Sequence, residues 1–241
     1  MSYRPREFWE QRLSEQFDLR GTGQTGLSLD YNRACYALRR DVLGRALREA
    51  GFDPGGKRVL DVGCGTGFFT SYYLERAAVL TGIDIAPTSV ETLRARHPQA
   101  RFILGDVSEV ALTETWDLVN AFDVLYHITE DARWERALAN LADAVRPGGL
   151  LLLTDTFVER PGLAAHNRMR SLARHRAVLE PRGFTLAGLK PTHVLLNREL
   201  GPIRFLNRLP ALLLAVDRTL LALVPSPRLA LNQLLVAKRG R

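Results

Sequence analysis

Val59-Leu60-Asp61-Val62-Gly63-Cys64-Gly65-Thr66-Gly67-Phe68-Phe69-Thr70 begins apolar, breaks into glycine at three alternate positions, and turns apolar again. With helix-like continuation through Tyr72 and Leu74, the pattern predicts a buried strand, a tight turn and a helix start. Glycine lacks a Cβ, so such a turn can take positive φ and bring backbone close to a ligand. The helix behind it leaves its first N–H groups unpaired. The stretch is expected to bind a small polar ligand.

Spacing narrows the ligand. A dinucleotide fingerprint needs G-x-G-x-x-G, but the sixth position from Gly63 is Phe68, so the loop is too tight for a pyrophosphate. A second apolar run, 79–85, carries Asp84, and a third ends on Gly105-Asp106-Val107.

Outward from this stretch, strands and helices alternate. Strands are predicted at 58–62, 79–84, 101–104, 116–122, 150–154, 184–189 and 231–238, and helices at 67–76, 87–96, 130–145 and 164–180. Such alternation argues for a parallel sheet covered on both faces. Residues 1–50 read as a helical cap, broken at Gly21-Thr22-Gly23, with an amphipathic stretch over 31–50. The core follows at 51–189, an apolar and basic insertion at 190–228, and a final strand in 229–241. Within the insertion, 209–224 reads as an apolar helix with a narrow polar arc at Asp217-Arg218, and connections this long usually carry function.

Composition limits the class. A chain of 241 residues, 46% hydrophobic, suits one decorated domain and is too apolar for disorder. Two cysteines, Cys35 and Cys64, make neither a disulfide framework nor a metal spacing, so no metal site is expected. The charged, aromatic first residues do not read as a secretory leader, which points to a cytoplasmic protein. No apolar run reaches membrane-spanning length. The net charge of +7 is concentrated: residues 160–208 hold ten Arg/Lys against Glu180 and Glu199. That segment suits an anionic substrate, a nucleic acid, an anionic membrane surface, or merely a solvated face.

The D-x-G-x-G-x-G run over 61–67, Asp84, the Gly105-Asp106 pair and the turn Arg146-Pro147-Gly148-Gly149 fall in an order that resembles the class I S-adenosylmethionine-dependent methyltransferases. The likeness covers residues 55–157. It implies an α/β fold, a Rossmann-like doubly wound sheet of about seven strands in the order 3-2-1-4-5-7-6, the last strand antiparallel. It implies an enzyme that takes S-adenosylmethionine as methyl donor and leaves S-adenosylhomocysteine. By resemblance, Asp61, Gly63, Cys64, Gly65 and Gly67 form the donor loop, and Asp84 with Ile85 takes the ribose hydroxyls. Asp106 with Val107 takes the adenine, and Ala121 and Phe122 border the methionine portion.

The catalytic side rests on the segment after the fourth strand. His127 is a candidate proton acceptor because its ordinary pKa lies near neutrality, with Tyr126 and Asp123 beside it. Trp9, Tyr31, His166 and Arg168 are candidate acceptor contacts, and Tyr36 a lid aromatic. The expected acceptor is a small, partly apolar molecule of natural-product, quinone or lipid metabolism, and the protein a monomer or homodimer. The insertion is expected as a substrate cap, with a dimer face or peripheral membrane contact through 209–224 as alternatives. No N-P-P-Y or D-P-P-Y run ends the fourth strand and no Pro-Cys nucleophile is present, so a nucleic-acid substrate is not expected. An RNA methyltransferase using 160–208 stays as the alternative, with a non-catalytic donor-binding or membrane-associated protein as a third reading.

Overall fold

The computed structural model describes residues 3–161, 164–197, 200–224, 226, 230 and 232–241. Three helices, α1 (Pro5–Glu15), α2 (Leu19–Thr22) and α3 (Leu29–Glu49), precede the first strand. Seven strands then form one sheet: β1 (Arg58–Val62), β2 (Val79–Asp84), β3 (Arg101–Leu104), β4 (Trp116–Phe122), β5 (Val145–Asp155), β6 (Phe184–Pro191) and β7 (Gln233–Arg239). Their order is β3-β2-β1-β4-β5-β7-β6. β1 to β5 are mutually parallel, and β7 runs antiparallel to both its neighbours. Order and strand direction are those expected. Leu231, the expected start of the last strand, lies outside the described residues.

Side chains alternate across a strand, so each central strand serves two cores. Val59, Leu80, Phe102, Leu118, Leu152 and Val236 pack under α3 together with α4 (Phe68–Leu74) and α5 (Pro87–Arg96). Leu60, Ile83, Val119, Leu151, Leu153 and Leu235 pack on the other face with α6 (Asp131–Asp143) and α7 (Leu172–Leu179). Burial on both faces is why these strands read as nearly continuous apolar runs. The strand order reverses between β1 and β4, the switch point at which open α/β sheets bind ligands beyond their carboxyl ends.

Three expectations are corrected. The helix predicted over 164–180 is only α7, because Ser171 caps it by accepting from the Arg174 N–H, and 168–169 pair with 160–161 instead. Arg170, fully buried, explains that detour: it donates to the carbonyls of Ile128, Arg168 and Thr129 and pairs with Asp131 at 3.0 Å, tying the loop after β4 to the one after β5. The basic segment over 168–190 is also not a free cationic face. Arg168 and Arg174 join the same Asp131, Arg174 reaches Glu135 and Glu159, and Lys190 pairs with Glu49. Arg198 and Glu199 lie outside the described residues. Finally, the polar arc of α8 (Pro210–Leu223) is not all solvated: Asp217 is buried and accepts the N–H groups of Val194, Leu195 and Leu196 at 3.1, 2.7 and 3.0 Å. Those three amides have no sheet partner, and the carboxylate supplies one, fastening α8 to the segment that leaves β6 within the insertion. Arg218 reaches Asp41 on α3. Among the described residues no helix is long and apolar enough to cross a membrane.

Candidate active site

The glycine loop closes over the carboxyl end of β1. Gly63 and Gly65 have φ of +67° and +49°, values that L side chains rarely adopt. Space is short as well: a Cβ at Gly63 would lie 2.4 Å from Val124 Cγ2, and one at Gly65 2.7 Å from Thr22 Cγ2. Thr22 belongs to α2, so the N-terminal helices already press on the loop.

Asp84 sets the loop's shape. One carboxylate oxygen accepts from Gly65 N–H at 2.8 Å and the other from Ala86 N–H at 2.9 Å. Burial raises the Asp84 pKa, while the backbone donors pull it back. A carboxylate offers about four lone-pair sites, so roughly two are left for a ligand's hydroxyl groups. Behind it, Asp61 accepts from Thr70 Oγ1 at 2.7 Å and Asn120 Nδ2 at 2.8 Å, joining β1, α4 and β4; burial pushes its carboxyl up to about 6. Burial also holds the Cys64 thiol well above its ordinary range, so it is a protonated filler, 3.9 Å from the Ser89 hydroxyl.

These groups open onto one cavity. Its floor is Gly63, Cys64, Gly65, Asp84, Ile85, Asp106 and Val107, and its far wall is Phe68, Phe69, Phe122, Asp123 and His127. Tyr3, Trp9 and Leu13 from the α1 region, Thr22, and Tyr36 and Arg39 from α3 complete it. No described residue of 190–224 lines it, so among the described residues its cover comes from the N-terminal helices. Asp106 accepts from the Ser108 N–H at 2.8 Å and pairs with Arg133 at 2.5 Å.

An aromatic cluster carries α1 onto the cavity. Phe8 stacks on His166 at 4.7 Å, and Trp9 meets His127 edge-on at 4.9 Å. His127 Nδ1 lies 3.1 Å from the His166 carbonyl oxygen. A carbonyl only accepts, so Nδ1 carries the proton and the neutral ring keeps its lone pair on Nε2. Burial takes the His127 pKa down to about 4, so the ring is neutral near pH 7. Asp123, at φ +58°, pairs with Arg39 and accepts from Thr154 Oγ1 and Asn232 Nδ2, each at 3.0 Å. Burial opposes its charge, yet Arg39 holds its carboxyl below the usual range.

The core is similar to known methyltransferases. Residues 59–149, from β1 to the turn inside β5, match the family model described as a methyltransferase domain. That stretch holds the glycine loop, Asp84 and Asp106, so the part of the core that floors the cavity is similar to a methyltransferase domain. The chain is 34% identical over 125 residues to a malonyl-[acyl-carrier protein] O-methyltransferase of Serratia marcescens, covering 50% of this chain and 46% of that one. It is 32% identical over 111 residues to a ubiquinone biosynthesis O-methyltransferase of Xanthomonas axonopodis pv. citri, 44% and 45% covered. The chain thus spans about half the length of the curated relatives it matches. In fold it is similar to the magnesium protoporphyrin IX methyltransferase of Synechocystis PCC 6803 solved with bound SAM, at a TM-score of 0.64, 20% identity, and 98% and 95% coverage. It is also similar to the N-methyltransferase NodS of Bradyrhizobium japonicum WM9, at 0.63, 14% identity, and 97% and 100% coverage.

Within this core and its helical cover, the structure brings Gly63, Cys64, Gly65, Asp84, Ile85, Asp106, Val107, Phe122, Asp123, His127 and Trp9 together on the cavity wall. Asp61, Gly67 and Ala121 stand behind it, as parts of the loop and core. Tyr31, Tyr126, His166 and Arg168, expected at the acceptor side, are not wall residues. Tyr31 is fully buried with its hydroxyl accepting from Asn197 N–H, and Arg168 is held by Asp131. Burial, with the Asp123 charge beside it, holds the Tyr126 phenol well above its ordinary pKa and so protonated. Sequence reasoning missed Tyr3, Arg39 and Arg133. No motif marks them; a basic residue on the apolar side of an N-terminal helix was the one available sign for Arg39.

Proposed function

We propose that this chain binds S-adenosylmethionine in the cavity and transfers its methyl group to a small, partly apolar acceptor. The observation that carries the reading is Asp84: a buried carboxylate, fixed by the loop amide of Gly65, with acceptor capacity turned to a cavity floored by positive-φ glycines. Those residues fit the donor. Asp84 takes the ribose hydroxyls, Asp106 and Val107 the adenine, and the open glycine backbone the amino-acid end. The sulfonium supplies an already activated methyl group. What the chain then does is hold two reactants in line and keep water away, a contribution on the order of 7–11 kcal/mol to such reactions. Phe68, Phe69, Phe122 and Trp9 make an apolar wall for the acceptor, and neutral His127 accepts a hydrogen bond through Nε2.

Calorimetric titration with adenosylhomocysteine tests the reading. Saturable one-site binding is expected, and its absence in a folded protein rejects the donor site.

A second reading concerns location. Ile203, Phe205, Leu209 and Leu212 are exposed beside Arg204 and Arg208, which have no ion-pair partner among the described residues. Apolar groups interleaved with free guanidiniums favour peripheral contact with an anionic membrane. Co-sedimentation with phosphatidylglycerol vesicles, lost in a Phe205→Ser, Leu209→Ser variant, is the expected result; equal recovery with neutral vesicles rejects it.

A further inference from the structure

The cavity continues past its Asp106 end. Tyr3, Pro5, Ile85, Gly105, Asp106 and Arg133 line it there, and the same six residues line a groove that leads out over the edge of the sheet. β3 is the outermost strand on that side, so no further strand closes it. The groove, of about 630 Å3, runs between residues 4–7 and the loop after β3. Its floor is apolar: Leu104, 40% exposed, lies with the half-buried Val110, whose Cγ2 stands 3.3 Å from where a Gly105 Cβ would be. Its rims are charged. Arg4 pairs with Glu7, Arg133 reaches Glu109 as well as Asp106, and Arg6 has no ion-pair partner among the described residues.

Asp106 stands where cavity and groove join, and its hydrogen bonds are nearly all made. One carboxylate oxygen accepts from the Ser108 N–H and hydroxyl at 2.8 and 2.6 Å, and the other from Arg133 Nη2 at 2.5 Å. A carboxylate has about four lone-pair positions, so roughly one is left. An adenine amino group offers two hydrogens. Asp106 can take one, and the other needs no partner from the wall.

We infer that the groove beyond Asp106 is a second subsite at the nucleoside end of the ligand, one that takes an apolar or aromatic substituent carried on the adenine amino nitrogen. The inference rests on the donor reading above. The substituent replaces the hydrogen that Asp106 leaves unbound and lies on Leu104 and Val110, removing their exposed apolar surface from water. An aromatic substituent also shares the groove with the guanidiniums of Arg6 and Arg133, which favour the face of a ring. The reacting sulfur is at the opposite end of the ligand, so the substituent leaves the transfer step as it is.

The test titrates the full chain by calorimetry with adenosylhomocysteine and with derivatives bearing one benzyl group, or two methyl groups, on the adenine amino nitrogen. The benzyl derivative is expected to bind within about tenfold of the parent compound, or more tightly; a larger loss overturns the inference. The dimethyl derivative leaves no hydrogen for Asp106 and should bind about tenfold or more weakly than the benzyl one, whereas equal affinity shows that Asp106 does not hold the amino group and removes the reason for the substituent's direction. Leu104 lines the groove and not the cavity, so Leu104→Trp should weaken the benzyl derivative about tenfold and leave adenosylhomocysteine nearly unchanged. Unchanged binding of the benzyl derivative, or equal weakening of both ligands, counts against the groove; should that variant not fold, the comparison on the unmodified protein decides. Failure of adenosylhomocysteine itself to bind strikes the donor reading instead.

Discussion

Asp84→Asn separates ligand recognition from folding. In the structure the carboxylate accepts from two backbone amides, Gly65 and Ala86, at 2.8 and 2.9 Å, and under the proposed function its remaining lone pairs take the two ribose hydroxyls. Asparagine offers one oxygen, and its NH2 group replaces the other acceptor, so one amide and one hydroxyl meet a donor in its place. Hydrogen bonds to charged groups contribute ~1.5–3 kcal/mol each, so losing one bond to the ligand outright and the charge assistance of the other costs about 3 kcal/mol. That is roughly a hundredfold or greater loss of affinity. Folding moves differently. Because burial raises the Asp84 pKa, the charged form is disfavoured in the native state, and removing the charge offsets the lost amide bond. Calorimetry should therefore show adenosylhomocysteine affinity down about a hundredfold, while the urea midpoint of the ligand-free protein shifts little. An affinity within threefold of the parent, in a variant that unfolds normally, would refute the assignment of Asp84 to the ribose.

Three further outcomes are expected. Asp155 is buried with Oδ2 unbonded, and burial pushes its carboxyl up to about 7 from an ordinary 3.8. The native state thus keeps a proton that the unfolded chain has released, so stability falls as pH rises from about 4 to about 7, by several kcal/mol in order of magnitude; Asp155→Asn should flatten that slope in urea titrations at pH 5 and 8, and an unchanged slope rejects Asp155 as its source. Asp217→Leu strands three buried amides and should lower unfolding free energy by about 3 kcal/mol or more, a loss under about 1 kcal/mol showing that the insertion is held by other contacts. Gly65→Ala meets both a φ of +49° and Thr22 Cγ2 at 2.7 Å. It should weaken donor binding, and adding Thr22→Ser should recover the steric part but not the ~1–2 kcal/mol of backbone strain; complete recovery in the double variant would argue that φ is not strained.

The sheet was legible in the chain because its evidence is local. Apolar runs of strand length, glycine and proline punctuation and helical periodicity survive in one dimension, and β1 to β4 lie at their predicted positions. The cavity floor was legible for the same reason: 63–67, Asp84 and Asp106 sit at strand ends, and parallel pairing brings strand ends together. What pairs across the fold was not. Arg170 reads as one more basic residue in a charged segment, yet it is buried among the carbonyls of Ile128 and Thr129. Asp217 reads as part of a narrow polar arc, yet it satisfies three amides some twenty residues earlier in the chain. Arg39 meets Asp123 only because α3 folds back over the switch point between β1 and β4. Backbone geometry and hydrophobic period determine the scaffold and the loop that binds; charge compensation and hydrogen-bond satisfaction depend on which groups share a buried volume, and that is decided when the elements pack.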